Sequence, residues 1–315
     1  MTGFWYRLLE GGAGLVGLWF LTLSARMIAL GYFLFSSLRK ESIRFYRLLY
    51  PDSPALRHWL CAFRQYQHFT TIHTDRFLAR HGKGIQFTSE GLEQLGPCLN
   101  SGGALLLMSH LGNWEMAAEL LPRQFPNLRL LLFMGAKQRE GVEAAQKEGL
   151  RRGGVRIIAM EAEEENPMLA MEGIRHLQAG GVVSMPGDIL LKPEQRSLQV
   201  AFLGGVAQLP AAPFVMAMLA QAPIFVFFAF RTGPGRYHFS LSPPLQVPVQ
   251  NRQQREQALQ QAAQQYADLL EQALAAHPFA WFHFRRFVHT RNTRDEQDDT
   301  PPKKPAKAPL HPWHP

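Results

Sequence analysis

The chain is 315 residues long, with 46% hydrophobic and 18% charged residues, which excludes a disordered protein. Its 26 Gly and 22 Pro follow no fixed period, which excludes collagen, and two cysteines, Cys61 and Cys98, are too few for a disulfide framework or a four-thiolate zinc site. Lys and Arg outnumber Asp and Glu by 33 to 25, a formal charge of +8 that suits an anionic partner without choosing among nucleic acid, lipid and an acidic protein.

Residues Gly11 to Phe35 are almost all apolar or small, a run long enough for a bilayer-crossing helix. Arg26 interrupts it near the middle, where a charge costs roughly 2.5–3.5 kcal/mol on insertion scales. A cleavable signal peptide fits poorly, because Arg7 and Glu10 cancel and no small-x-small site follows a compact apolar core. Next come Arg39, Lys40, Arg44 and Arg47, interleaved with Ile43, Phe45, Tyr46 and Leu48. Basic and aromatic residues mixed in this way suit a lipid headgroup layer. Residues 1–50 are therefore expected to form a membrane-associated helix with a basic collar, spanning or interfacial. The alternative is a buried helix in which Arg26 is paired.

A helical period runs from Ser53 to His81, and Ser89 is expected to open a capped helix (SEGLEQL) that stops at Gly96-Pro97. The centre then alternates short apolar runs (Ala104–Met108, Leu128–Met134, Val155–Met160, Val182–Met185) with helical stretches (Trp114–Gln124, Arg139–Arg152, Asn166–Ala179). This alternation predicts an α/β fold with a mostly parallel central sheet flanked by helices. Phe214–Ala220, Ile224–Phe230 and Tyr237–Leu241 add at least two strands or a strand–helix pair. Asn251 to Ala276 is a Gln-rich helix with an apolar stripe of Leu259, Ala262, Ala263, Tyr266, Leu269, Leu270 and Ala273. One domain over 51–289 is expected, followed by a Pro-rich disordered tail over 290–315.

Chemistry concentrates in Ala104–Glu119, ALLLMSHLGNWEMAAE. A buried strand leads into His110, a turn holds Gly112 and Asn113, and a helix starts near Trp114. On one continuous helix His110 and Glu115 would not share a face cleanly. Across a strand–turn–helix they can meet, with the carboxylate accepting from one ring nitrogen and raising the basicity of the other. That second nitrogen would face the crevice beyond the carboxyl ends of the strands. Such a pair, without a Ser or Cys nucleophile, suits removal of a proton from a hydroxyl that attacks an acyl thioester, with helix N-terminal amides near Asn113 holding the oxyanion. A bare H-x4-E is more often a capping His bonded to a nearby Glu; the strand–turn–helix context argues against that here. There is no G-x-S-x-G, no phosphate-binding G-x4-G-K-(S/T) and no H-E-x-x-H, and the acidic run Glu161–Glu165 reads as a solvated loop.

SHLGNWEMA resembles the H-x4-(D/E) block of the lipid A biosynthesis acyltransferases, within the lysophospholipid acyltransferase superfamily. Further stretches are similar to that family: YQHFTTIHTDRF (66–77), GGVVSMPGD (180–188), VAFLGGVAQLPAAPFVMA (200–217) and FAWFHFRRF (279–287). The resemblance implies a fatty acyl transfer at the cytoplasmic face of the bacterial inner membrane. The acyl group comes from an acyl thioester, usually acyl-acyl carrier protein, and goes to a lipid hydroxyl. It makes His110 the general base and Glu115 its partner, with Gly112 and Asn113 in the turn and Asp188, Phe202, Gly204 and Gly205 near the acceptor or acyl chain. Two departures mark a divergent member. Ile189 follows Asp188 where the family commonly has Arg or Gln, and FMGAKQRE leaves Lys137 or Arg139 to replace an expected Arg. The implied partners are acyl carrier protein and a membrane lipid, with no nucleic acid, no metal and no cofactor beyond the thioester co-substrate. Two rival readings stand beside it: a thioesterase or phospholipase using the same dyad, and a non-catalytic lipid-binding protein.

Overall fold

Each buried run of the central pattern becomes a strand in the computed structural model, which describes residues 18–80, 85–125, 127–135, 155–160, 167–248, 251 and 254–289. The expected helix over 139–152 and the Pro-rich stretch from 290 lie outside these residues.

Among the described residues three helices come first: α1 (Leu18–Phe35), α2 (Arg39–Leu49) and α3 (Ala55–Arg80). Ala25, Ala29 and Phe33 fall four residues apart on one face of α1 and are buried. The Phe33 ring meets Trp59, Phe63 and Tyr66 of α3 at centroid distances of 4.7, 5.4 and 5.4 Å. Arg26 is exposed, so α1 is not a buried helix with a sheltered Arg. No helix among the described residues is long and apolar enough to cross a membrane.

Among the described residues the main sheet has seven strands: β1 (Gln86–Glu90), β2 (Ala104–Met108), β3 (Leu130–Gly135), β4 (Arg156–Met160), β5 (Val182–Pro186), β8 (Ile224–Gly233) and β9 (Arg236–Leu241). Their order is β1-β9-β8-β2-β5-β3-β4. Only the β8–β9 pair is antiparallel; the other pairs are parallel. Both faces are covered, which is why β2 reads as an unbroken apolar run. Leu105 and Leu107 face one core, with α6 (Pro167–Gln178), α7 (Ala212–Ala220) and α8 (Arg255–Ala276). Ala104, Leu106 and Met108 face the other, with α4 (Leu95–Ser101) and α5 (Trp114–Gln124). Ser89 does not open a helix: it lies in β1, paired with β9. The chain turns at Gly91 (φ +78°), and α4 runs straight through Gly96-Pro97. Pro97 sits in the first turn, where no backbone N–H is needed for an intrahelical bond.

A second, antiparallel sheet holds β6 (Ser197–Phe202), β7 (Gly205–Pro210) and β10 (Val288–His289). Leu203 and Gly204 join β6 to β7 as a two-residue turn, both at positive φ (47° and 73°), as right-twisted hairpins require. Side chains of α8 satisfy the outer edge of β6. Gln264 accepts from the Ala201 N–H (2.9 Å) and donates to the Ala201 carbonyl (3.1 Å). Gln260 donates to the Gln199 carbonyl, and Glu271 accepts from the Leu203 N–H.

Three buried tyrosines tie these layers together. Tyr46 donates to the Pro278 carbonyl (2.8 Å), Tyr266 to the Met108 carbonyl (3.0 Å) and Tyr237 to Asp75 Oδ2 (2.9 Å). Burial, reinforced by Cys61, Asp188 and Asp75 respectively, pushes each phenol above its ordinary value. Their stabilisation is whole below about pH 10, where an unfolded tyrosine begins to ionise, and is lost above it because the unfolded chain releases its protons first. Thermal midpoints measured from pH 8 to pH 11.5 are expected to hold and then fall beyond about pH 10. The Tyr46→Phe chain should fall less steeply; an equal slope would remove Tyr46 from the account.

Candidate active site

Two neighbouring parallel strands place two polar residues side by side. In the β2–β5 register Met108 lies opposite Pro186, and His110 and Asp188 each follow two residues later. Gly187 N–H donates to the Met108 carbonyl (2.8 Å), carrying the pairing past the strand ends. Asp188 then receives two bonds from one residue: the His110 backbone N–H at Oδ2 (2.7 Å) and His110 Nδ1 at Oδ1 (2.9 Å). Both side chains are buried. Burial raises the Asp188 carboxyl, but the His110 ring, its two hydrogen bonds and nearby His283 outweigh it, and the group is held below its ordinary value. An ionised carboxylate only accepts, so the proton sits on Nδ1 and the basic nitrogen is Nε2.

The turn after His110 is fixed from three sides. Gly112 has φ +91°, and a Cβ there would stand 2.5 Å from the Ala229 carbonyl oxygen of β8. Asn113 N–H donates to that carbonyl (2.8 Å) and Gly112 N–H to the Ala280 carbonyl (2.8 Å). The Asn113 side chain caps α5 by accepting from Met116 N–H (3.4 Å), and its Nδ2 donates to Tyr237 Oη (3.1 Å). Tyr237 in turn donates to Asp75 of α3. That carboxylate also accepts from Arg231 Nε (2.6 Å) and Nη2 (3.2 Å) and from Gly235 N–H (3.2 Å). Asp75 is fully buried.

The segment after α8 closes the other side. Leu111 and Trp281 form an antiparallel bridge, and Phe282 N–H donates to the His110 carbonyl (2.8 Å). Gln65 of α3 donates to the Trp281 carbonyl. Phe202, Trp281 and Phe287 form an aromatic triangle with centroid distances of 5.3, 5.2 and 5.0 Å.

The sequence reading gave a ring nitrogen of His110 to Glu115; the structure puts Asp188 on Nδ1. Glu115 is half-buried in the first turn of α5, on the helix that begins at the same turn. Gly112 and Asn113 build that turn. Phe202 is buried in the core, Gly204 makes the β6–β7 turn, and Gly205 leaves room for Val288, whose Cγ1 a Cβ there would meet at 2.7 Å. Lys137 and Arg139 lie outside the described residues. Among the described residues no three His, Cys, Asp or Glu side chains gather as a metal site.

A buried imidazole held by an ionised carboxylate, at the carboxyl edge of parallel strands and beside a helix N-terminus, defines a site for general acid–base chemistry. Residues 68–289 match the bacterial lipid A biosynthesis acyltransferase family, and the chain belongs to that family. No curated protein matches it.

Proposed function

We propose that the chain is a membrane-associated O-acyltransferase that moves a fatty acyl group from a thioester, most naturally on acyl carrier protein, to a lipid hydroxyl. The His110–Asp188 pair, whose His110 opens the H-x4-E block, carries this reading. His110 Nε2 takes the proton of the acceptor hydroxyl, and the oxygen attacks the thioester carbonyl carbon. The tetrahedral intermediate places its negative charge near the positive end of α5. It collapses to the ester, and the expelled thiolate recovers the proton from His110. Glu115, on that first turn, is the second carboxylate of the site, with the partner role implied by the family motif. No covalent enzyme intermediate is needed. Lys137 or Arg139 would meet the acceptor headgroup, and Phe202 with its aromatic neighbours would border the acyl chain.

Membrane association at the cytoplasmic face of the inner membrane is supported by exposed apolar side chains on the first and third helices. Leu23, Met27, Leu34 and Phe35 of α1 and Leu56 and Leu60 of α3 are exposed, among Arg26, Lys40 and Arg57. Exposed apolar and basic side chains on the same helices suit an anionic bilayer.

The test follows a labelled acyl group from acyl-acyl carrier protein into a detergent-dispersed bacterial membrane lipid extract. The label is expected in a new lipid ester. Free fatty acid without that ester would favour the hydrolase, and label left on the carrier would favour a non-catalytic lipid-binding protein; either result removes the proposal.

A further inference from the structure

The catalytic pair hangs from the ends of two separate strands. Past β2 and β5 a backbone bond, from Gly187 N–H to the Met108 carbonyl (2.8 Å), ties the two chains together before His110 and Asp188 meet. A third element reaches the same point. Between Leu259 and Leu270 the other buried positions of α8 are alanines, and Tyr266 is the one long side chain buried there. Its ring is fully buried and packs beside Phe214 of α7 at 6.2 Å. Its hydroxyl also donates to the Met108 carbonyl (3.0 Å), so that oxygen accepts from the β5 chain and from α8 at once.

The phenol bears on both sides of the junction. The Ser109 hydroxyl, which accepts from the Leu111 N–H (3.2 Å) around His110, hydrogen-bonds the phenol oxygen. Met108 and Ser109, the two residues before His110, are therefore both held by one side chain of α8. On the other strand, a Cβ on Gly187 would stand 2.8 Å from Tyr266 Cζ and 2.7 Å from Leu107 Cγ, so the residue before Asp188 is a glycine that leaves the ring its place against the chain. A misplacement of about 1 Å in a catalytic group can cost on the order of 100-fold in rate. Resting on the acyl-transfer reading of this site, we infer that Tyr266 is a positioning residue for the reaction: its hydroxyl, bonded to Met108 and Ser109, fixes where β2 delivers His110 relative to Asp188. Fully buried, it acts through the pair and not on substrate. Burial and the Asp188 carboxylate push the phenol above its ordinary value, so it is neutral at working pH and its loss alters geometry, not net charge.

The experiment is a double-mutant cycle in the full-length chain, with labelled acyl-acyl carrier protein and the bacterial lipid extract as substrates. Tyr266→Phe keeps the ring and removes the hydroxyl, while the Met108 carbonyl retains the Gly187 N–H. In the wild-type background kcat is expected to fall about tenfold, with the apparent KM for thioester and lipid moving less than about threefold. In the Asp188→Asn background the same change should cost less than about twofold, because the pair it serves is already broken. A Phe chain with at least half the wild-type kcat overturns the inference. So does an equal loss in both backgrounds, the mark of plain packing, or a loss confined to KM. Should Tyr266→Phe fail to fold, Ser109→Ala, which releases the same phenol from the residue before His110, takes its place in the cycle; the same coupling is expected, and additive losses overturn the inference. A wild-type chain that transfers no label sinks the acyltransferase reading itself, whereas an active wild type with an equally active Phe chain sinks this inference alone.

Discussion

Asp188→Asn is expected to lower kcat by on the order of 1,000-fold while the apparent KM values for thioester and lipid stay within about threefold. The carboxylate now accepts from both the backbone N–H and Nδ1 of His110. An amide has one acceptor oxygen, so one of those bonds is lost. If its NH2 turns toward the ring, the imidazole proton is driven to Nε2, the nitrogen that has to be basic. His110→Ala should fall as far, and the double variant no further, because the two act as a unit. Glu115→Gln measured beside them separates the carboxylates. If Asp188→Asn keeps a third of the activity while Glu115→Gln abolishes it, Glu115 orients the base and Asp188 is only structural.

Asp75→Ala is expected to destabilise the chain by about 3 kcal/mol or more, read as a lower urea or thermal midpoint. Four donor contacts converge on this fully buried carboxylate: two from Arg231 and one each from Gly235 and Tyr237. Its removal leaves a guanidinium whose side chain is 25% exposed without its counter-charge, together with a buried phenol lacking its acceptor. The damage should reach the site as well, because Tyr237 holds the Nδ2 of Asn113 and Asn113 caps α5. Tyr237→Phe should leave the fold intact and slow transfer by about tenfold. A midpoint shift under 1 kcal/mol for Asp75→Ala would show that water replaces the network.

The parallel sheet was legible because strands buried on both faces read as continuous apolar runs, and Trp114–Gln124 is helical as the turn before it implied. The β6–β7 hairpin is carried by weaker signals: Ser197–Phe202 alternates inward and outward, and Gly204 sits in the turn. Ser89 misled because a Ser followed by Glu and Leu reads equally as a helix cap and as an exposed edge strand. At the site, His110 was visible from its strand-end position. Asp188 had a similar signal, shortly past a buried run in SMPGD as His110 is in LMSH, but pairing them needs the knowledge that β2 and β5 are neighbours. The links from Asp75 to Tyr237 and from His110 to His283 each span more than 150 positions, and no local pattern announces them.

The glutamine comb of α8 has a consequence beyond the single chain. An outermost strand with bare amides and carbonyls is a template on which a second molecule can add its own strand. Here the template is already filled at Gln199, Ala201 and Leu203 by side chains of the same molecule. A composition that in an unfolded segment would invite aggregation instead guards against it, so changes at Gln260 or Gln264 should be felt first as lost solubility in the cell, before any loss of the fold.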